Sequence, residues 1–293
     1  MKTVAFTAGG YRYIPAVFQY SGGVAAEPGF AIQRTRFQKP VPLRAGFSEI
    51  ARRIRDSRRP LTAFCACELR SPAPFTEASF RAFNEIYVET LREWGLFDGA
   101  INPVARSNVC PEIDPLAEPS FHAFSYTVAA AGDDAPSFVV AGSGEAMEGG
   151  SSYRERTVRF GETSPDAMRE KARYVLGEME RRLGALGFDW TSTTATQVYT
   201  VHDVHPFLAD EIVRRGAAAH GLTWHFARPP VRDLEYEMDC RAVATERVRA
   251  DDDLDRSRQI AQVQKRGLAV PAPRDQATGD EVANLGVLAR PKL

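Results

Sequence analysis

The order of apolar runs, glycine turns and helix stripes in residues 1–130 starts again after a polar linker, and this recurrence constrains the fold more than any single motif. The linker is Ala131-Gly132-Asp133-Asp134-Ala135-Pro136. Ahead of it, residues 16–20 read as a strand, Ser21-Gly22-Gly23 as a tight turn and residues 30–37 as the hairpin partner. Phe47, Ile50, Ala51 and Ile54 then fall at helical spacing, Pro60 closes that helix, and the continuous apolar run 61–69 reads as a central strand. Thr76 caps a second helix with the stripe Phe80, Phe83, Tyr87, Leu91 and Trp94, and Gly95 stops it. Residues 120–128 alternate as a strand.

Beyond the linker, residues 138–141 read as a strand, Gly142-Ser143-Gly144 echoes the earlier glycine turn, and residues 154–160 serve as a second hairpin strand. Ser164 and Pro165 open the clearest helix, whose face of Met168, Ala172, Val175, Leu176, Met179, Leu183 and Leu186 persists to Gly187. Strands over 194–201, 222–227 and 236–242 and a helix starting over 207–213 complete the order. Two copies of one α+β unit follow, residues 1–130 and 137–245, each of ordinary domain size. From Glu246 charge, proline and glycine increase and periodicity fades, so residues 246–293 read as a tail or arm that needs a partner to order it.

With 37 basic and 38 acidic residues and a net charge of −1, no global field favours nucleic acid or an anionic membrane, and any anion must be bound by a local pocket. Residues 1–7 lack the basic start and apolar run of a signal peptide, and no segment has the length of a membrane span, so a cytoplasmic location is expected. Cys65, Cys67, Cys110 and Cys240 lie inside apolar runs and read as buried reduced thiols rather than a disulfide frame or a zinc site.

One such pocket is suggested by Asn102-Pro103-Val104-Ala105-Arg106-Ser107-Asn108-Val109-Cys110, a proline turn that runs into an apolar strand and carries one arginine. A guanidinium fixed there is a bidentate fork for a carboxylate, which a lysine could not reproduce.

These residues resemble the YjgF/RidA family, small trimeric proteins that hydrolyse reactive enamines and imines. Ser21-Gly22, the F-x-x-x-N-x-x-Y helix Phe80-Arg81-Ala82-Phe83-Asn84-Glu85-Ile86-Tyr87 and the proline-alanine-arginine-serine turn carry the resemblance in the first half. The second half is similar in element order; it has Leu222 where the arginine would stand, although residues 236–242 resemble the acidic closing strand. A narrower likeness, to double-length deaminases of 2-aminomuconate and its 5-chloro analogue, rests on Cys65-Ala66-Cys67-Glu68-Leu69-Arg70-Ser71-Pro72, Ala105-Arg106-Ser107-Asn108-Val109-Cys110-Pro111, Gly142-Ser143-Gly144-Glu145 and Val198-Tyr199-Thr200-Val201-His202-Asp203. The resemblance implies two tandem chorismate-mutase-like units, each a mixed sheet with helices on one face. It implies a homotrimer with active sites in clefts between adjacent units, of which only those lined by Arg106 would bind a carboxylate.

The implied reaction protonates an enamine dicarboxylate at carbon, adds water to the iminium and expels ammonia, and it needs no cofactor. Arg106 would hold the carboxylate beside the amine-bearing carbon. Ser21, Asn84 and Asn108 match positions that line or support the family's cleft, and Tyr20 is one of several phenols that could donate to substrate. For the proton-moving group three residues compete: Glu145 after the second glycine turn, His122 where the closing strand of relatives often has glutamate, and Glu237, which keeps that glutamate in the second half. Metal is not assigned to His202, Asp203 and His205, because adjacent strand residues diverge and Pro206 marks a helix start with Asp203 as cap. Neither Ser21 nor Ser143 lies in a nucleophile elbow. A chorismatase-like hydrolase cleaving an enol ether and a non-catalytic binder of small carboxylates are the competing readings.

Overall fold

Along β5 (Phe64–Arg70) the side chains alternate between two environments, and that alternation sets the layers. Cys67 turns outward, its thiol 3.3 Å from the Tyr87 hydroxyl on helix α2 (Glu77–Glu93), while Glu68 turns inward, 3.3 Å from Gln197 of the opposing sheet. The chain is described by a computed structural model over residues 1–132, 135–147, 149 and 152–249. Part of the expected linker and the expected tail from 250 to 293 lie outside the described residues.

The remaining elements are β1 (Val4–Phe6), β2 (Tyr11–Tyr13), β3 (Gly23–Ala26), β4 (Phe30–Pro42), α1 (Leu43–Asp56), β6 (Ala105–Pro111), β7 (Ser120–Ala129), β8 (Phe138–Gly144), α3 (Tyr153–Arg156), α4 (Pro165–Leu186), β9 (Ala195–Tyr199), α5 (His205–Phe207), β10 (Thr223–His225), β11 (Ala227–Arg228), β12 (Glu237–Ala242) and β13 (Thr245–Arg249). Among the described residues the strands form two sheets, ordered β1-β2-β3-β8-β12-β9-β10 and β11-β6-β5-β7-β4-β13. Both are mixed: β5–β6, β9–β10 and β4–β13 are parallel and the other pairs antiparallel. The fold is thus α+β with mixed sheets, and each sheet draws strands from both halves of the sequence.

Several expected elements differ. Residues 16–20 hold only an isolated bridge, Val17 to Tyr20, and the N-terminal hairpin is instead β2 with β3, paired Tyr11 to Ala26. Gly23 therefore starts a strand rather than ending a turn, and residues 30–37 belong to β4, which pairs with β7. Gly142-Ser143-Gly144 is the end of β8, not a turn. Residues 154–160 make no strand: Ser152 accepts from the Glu155 N–H and starts the single turn α3. The helix expected from 207 is α5 followed by a π-helical turn, Leu208–Val213, and the strand over 222–227 breaks at Phe226 so that β10 and β11 join different sheets. Residues 246–249 belong to β13, not to a tail.

The helices form where their signals stand. Thr76 Oγ1 accepts from the Ser79 N–H, Ser164 Oγ accepts from the Ala167 N–H, and Gly187 closes α4 at φ +88°. α4 lays Met168, Ala172, Val175 and Met179 on Phe138 and Val140 of β8 and Met238 and Cys240 of β12. Burying each large apolar side chain contributes about 1.5–3 kcal/mol. On the other sheet Phe47 and Trp94 meet edge to face at 5.3 Å, and Phe47 and Phe121 at 4.9 Å. All four cysteines are buried and unbridged.

Between the sheets the packing is polar. Arg34 donates to Glu68 at 2.7 Å, Gln197 Nε2 to Asp239 at 2.8 Å, Tyr199 Oη to Asp239 at 2.8 Å and Ser107 Oγ to Asp239 at 2.6 Å. Among the described residues no helix is long and apolar enough to cross a membrane.

Candidate active site

Arg106 leaves β6 toward the helix side, and its neighbours are aromatic. Its guanidinium carbon lies 4.8 Å from the Tyr87 ring centre, 5.6 Å from Tyr20 and 5.8 Å from both Phe80 and Phe83. The residue is 3 % exposed, yet Nε and Nη1 have no hydrogen-bond partner. A buried cation normally carries a carboxylate or a full set of acceptors, so this one is built to receive an anion that the folded chain does not supply. The proline turn is held from outside: Ser21 N–H donates to Val104 O at 2.9 Å, Ser21 Oγ to Pro103 O at 3.1 Å, and Asn102 Oδ1 accepts from the Val104 N–H at 3.0 Å.

The guanidinium faces a cavity of about 110 Å³ lined by residues of both halves. Tyr20, Phe80, Arg106 and Asn108 come from the first, and Gly142, Ser143, Tyr153, Arg156, Arg182 and Glu237 from the second. The cavity therefore gathers four of the expected residues: Arg106, Asn108, Tyr20 and Glu237. Asn108 Oδ1 accepts from Ser71 Oγ at 2.9 Å and leaves Nδ2 unpaired. Burial raises the Tyr20 phenol to about 12, so it remains an O–H donor at neutral pH.

Glu237 supplies the acid. It is 5 % exposed at the start of β12, and burial, reinforced by the charges of Asp239 and Glu145, raises its pKa to about 8 against the pull of Arg106 and Arg70. A carboxyl with that value keeps its proton at neutral pH and can return it within the working range of an acid–base catalyst.

The other expected residues lie elsewhere. Glu145 is sealed at 0 % exposure: Lys171 Nζ stands 3.2 Å away and the N–H groups of Glu235 and Tyr236 donate to it at 2.6 and 3.1 Å. Burial raises its pKa, opposed by Lys171 and those N–H donors, and it fastens α4 to the approach of β12. His122 sits outside the cavity, edge to face with His225 at 6.1 Å; burial and then Arg70 depress it to about 2, so it is a neutral ring. Ser21 braces the arginine turn and does not line the cavity, and Asn84, fully buried in α2, has neither amide atom paired. His202 turns to Glu235 at 2.8 Å and Asp203 accepts from the His205 N–H at 3.0 Å, as a cap does.

Sequence reading missed the far wall, Tyr153, Arg156, Glu178 and Arg182. A trace was present: Lys171, Glu178 and Arg182 are spaced by seven and four, so charged groups recur on the buried side of α4, where an ordinary amphipathic helix has none.

Comparison with known proteins places these features. The chain is 51 % identical over 246 residues to a 2-amino-5-chloromuconate deaminase of Comamonas testosteroni, covering 84 % of this chain and 98 % of that protein. A solved chorismatase structure matches at a TM-score of 0.39 and 13 % identity, covering 76 % of this chain and 77 % of that one. The family model described as 2-aminomuconate deaminase CnbZ matches residues 3–247, and the chain belongs to that family.

Proposed function

We propose that the protein is a cofactor-independent hydrolytic deaminase that converts 2-aminomuconate, or its 5-chloro analogue, to the 2-hydroxymuconate and ammonia. The observation that carries this reading is Arg106, a buried guanidinium with two unpaired nitrogens beside a carboxylic acid in the same cavity. The name of the Comamonas testosteroni relative supports the substrate class.

Arg106 binds the carboxylate next to the amine-bearing carbon in a charge-assisted pair. Glu237, protonated at neutral pH, gives its proton to the enamine carbon and leaves an iminium and a carboxylate. The carboxylate accepts a proton from water as its oxygen adds to the iminium carbon. Returning that proton to nitrogen lets the carbinolamine collapse with loss of ammonia, so one water enters and one ammonia leaves. Tyr20 and Asn108 Nδ2 offer donors to the bound acid.

The same reading takes the two halves as tandem YjgF/RidA-like units and three chains as the assembly; the repeated succession of sheet and long helix supports it. Ammonia release from 2-aminomuconate by purified protein tests the reaction. A wild-type protein that releases none, or an Arg106→Ala variant that turns over at the wild-type rate, overturns it.

A further inference from the structure

A muconate carries two carboxylates, and Arg106 accounts for one. This inference rests on the reading above and extends it to the opposite wall. There α3, a single turn, sets Arg156 on the cavity with its guanidinium carbon 4.0 Å from the centre of the Tyr153 ring. Nη1 donates to Met147 O at 3.0 Å, Nε is buried with no hydrogen-bond partner, and no carboxylate pairs with the group among the described residues. The neighbouring charges are otherwise engaged: Glu178 is paired with Arg181, and Arg182 Nη1 donates to Ala141 O at 3.2 Å, bracing the strand before Gly142.

We infer that Arg156 receives the second carboxylate, so that the cavity selects short unsaturated chains with an acid at each end over those with one. Both arginines have an aromatic ring beneath a partly unpaired guanidinium. A substrate with one carboxylate would fill Arg106 and leave Arg156 desolvated without a counter-charge, which is the discriminating penalty.

Titration calorimetry with muconate and with sorbate, the same diene chain with one carboxylate, tests this without turnover. Wild-type protein is expected to bind muconate tighter by about 10- to 100-fold, the range for one charge-assisted hydrogen-bonded contact. Arg156→Gln is expected to erase that preference while leaving the sorbate affinity unchanged, which also reports an intact site; Arg156→Lys is expected to keep part of it. The inference is overturned if the wild type shows no preference, if Arg156→Gln keeps it, or if both ligands weaken equally. Ammonia release is read separately, so a failure here leaves the reaction standing, and loss of the reaction leaves the binding comparison readable.

Discussion

The carboxyl of Glu237 lies directly over the bare Cα of Gly142: a Cβ built on residue 142 would stand 2.2 Å from Glu237 Oε1 and 3.1 Å from Ser107 Oγ. The proposed acid is therefore held in place by a missing side chain on the neighbouring strand, and three elements meet at that point. Gly142 N–H also donates to Ser107 Oγ at 3.0 Å, which ties β8 to β6 and so brings the acid to the arginine's sheet.

Gly142→Ala should displace Glu237 without unfolding the chain. Overpacking of this kind costs about 1–3 kcal/mol, and the misplaced acid should lower kcat for ammonia release by about 100-fold, the share expected of one positioned acid–base group. Thermal unfolding and steady-state kinetics read the two effects. Wild-type kcat in this variant would mean that the carboxyl position is immaterial.

The raised pKa of Glu237 has a sign in stability as well as in rate. Between the ordinary carboxylate value of 4.5 and about 8 the unfolded chain ionises this group while the folded chain keeps its proton. Its contribution is thus fully present below pH 4.5 and is lost as the pH rises toward 8. Glu237→Gln should match the wild type near pH 4 and be the more stable protein near pH 8, by on the order of a few kcal/mol. Activity should fall above about pH 8 in the wild type and be absent in the variant throughout. Unfolding curves and a pH–rate profile decide; identical pH slopes in the two proteins would remove the elevated acid.

Local chemistry was legible in the sequence, and long-range pairing was not. Thr76, Ser164 and Gly187 mark helix ends because caps and left-handed glycines act within one turn. Arg106 was legible because a proline turn fixes its exit. That β3 pairs with β8 rather than with β4 could not be read, since both neighbours offer the same apolar alternation and the choice depends on how two sheets stack. The aromatic and β-branched residues of 154–160 resemble a strand, but Ser152 caps a helical turn first. Ranking the carboxylates also needed coordinates: burial raises both Glu145 and Glu237, and only the partners of Glu145 show that it is occupied.

Arg106→Met should separate folding from function. The native guanidinium loses no carboxylate partner on replacement, so burying a thioether of similar length among Tyr20, Phe80, Phe83 and Tyr87 should leave the protein as stable or raise stability by about 1 kcal/mol, within the range seen when buried charges are replaced by apolar groups. The same change should abolish measurable ammonia release. Arg106→Lys should lose about 100-fold in kcat/KM, because a point charge cannot form the bidentate pair. A large drop in melting temperature for Arg106→Met would show instead that the arginine is a structural cation.

Glu145 should behave in the opposite way. Its removal leaves Lys171, fully buried on α4, with Val158 O at 2.8 Å as its remaining acceptor and strips two backbone N–H groups of their partner. Breaking a buried pair from one side costs about 3–5 kcal/mol, so Glu145→Ala should sharply lower the unfolding midpoint in urea. Glu145→Gln keeps the acceptor for the N–H donors and should lose less. The folded fraction of either variant should retain the wild-type pH–rate profile, because the carboxylate does not reach the cavity. Adding Lys171→Met to Glu145→Gln should recover part of the stability, since the uncompensated ammonium goes with it. A double variant no more stable than the single one, or a pH–rate profile that loses its alkaline limb in Glu145→Gln, would return Glu145 to the chemistry and displace Glu237 from it.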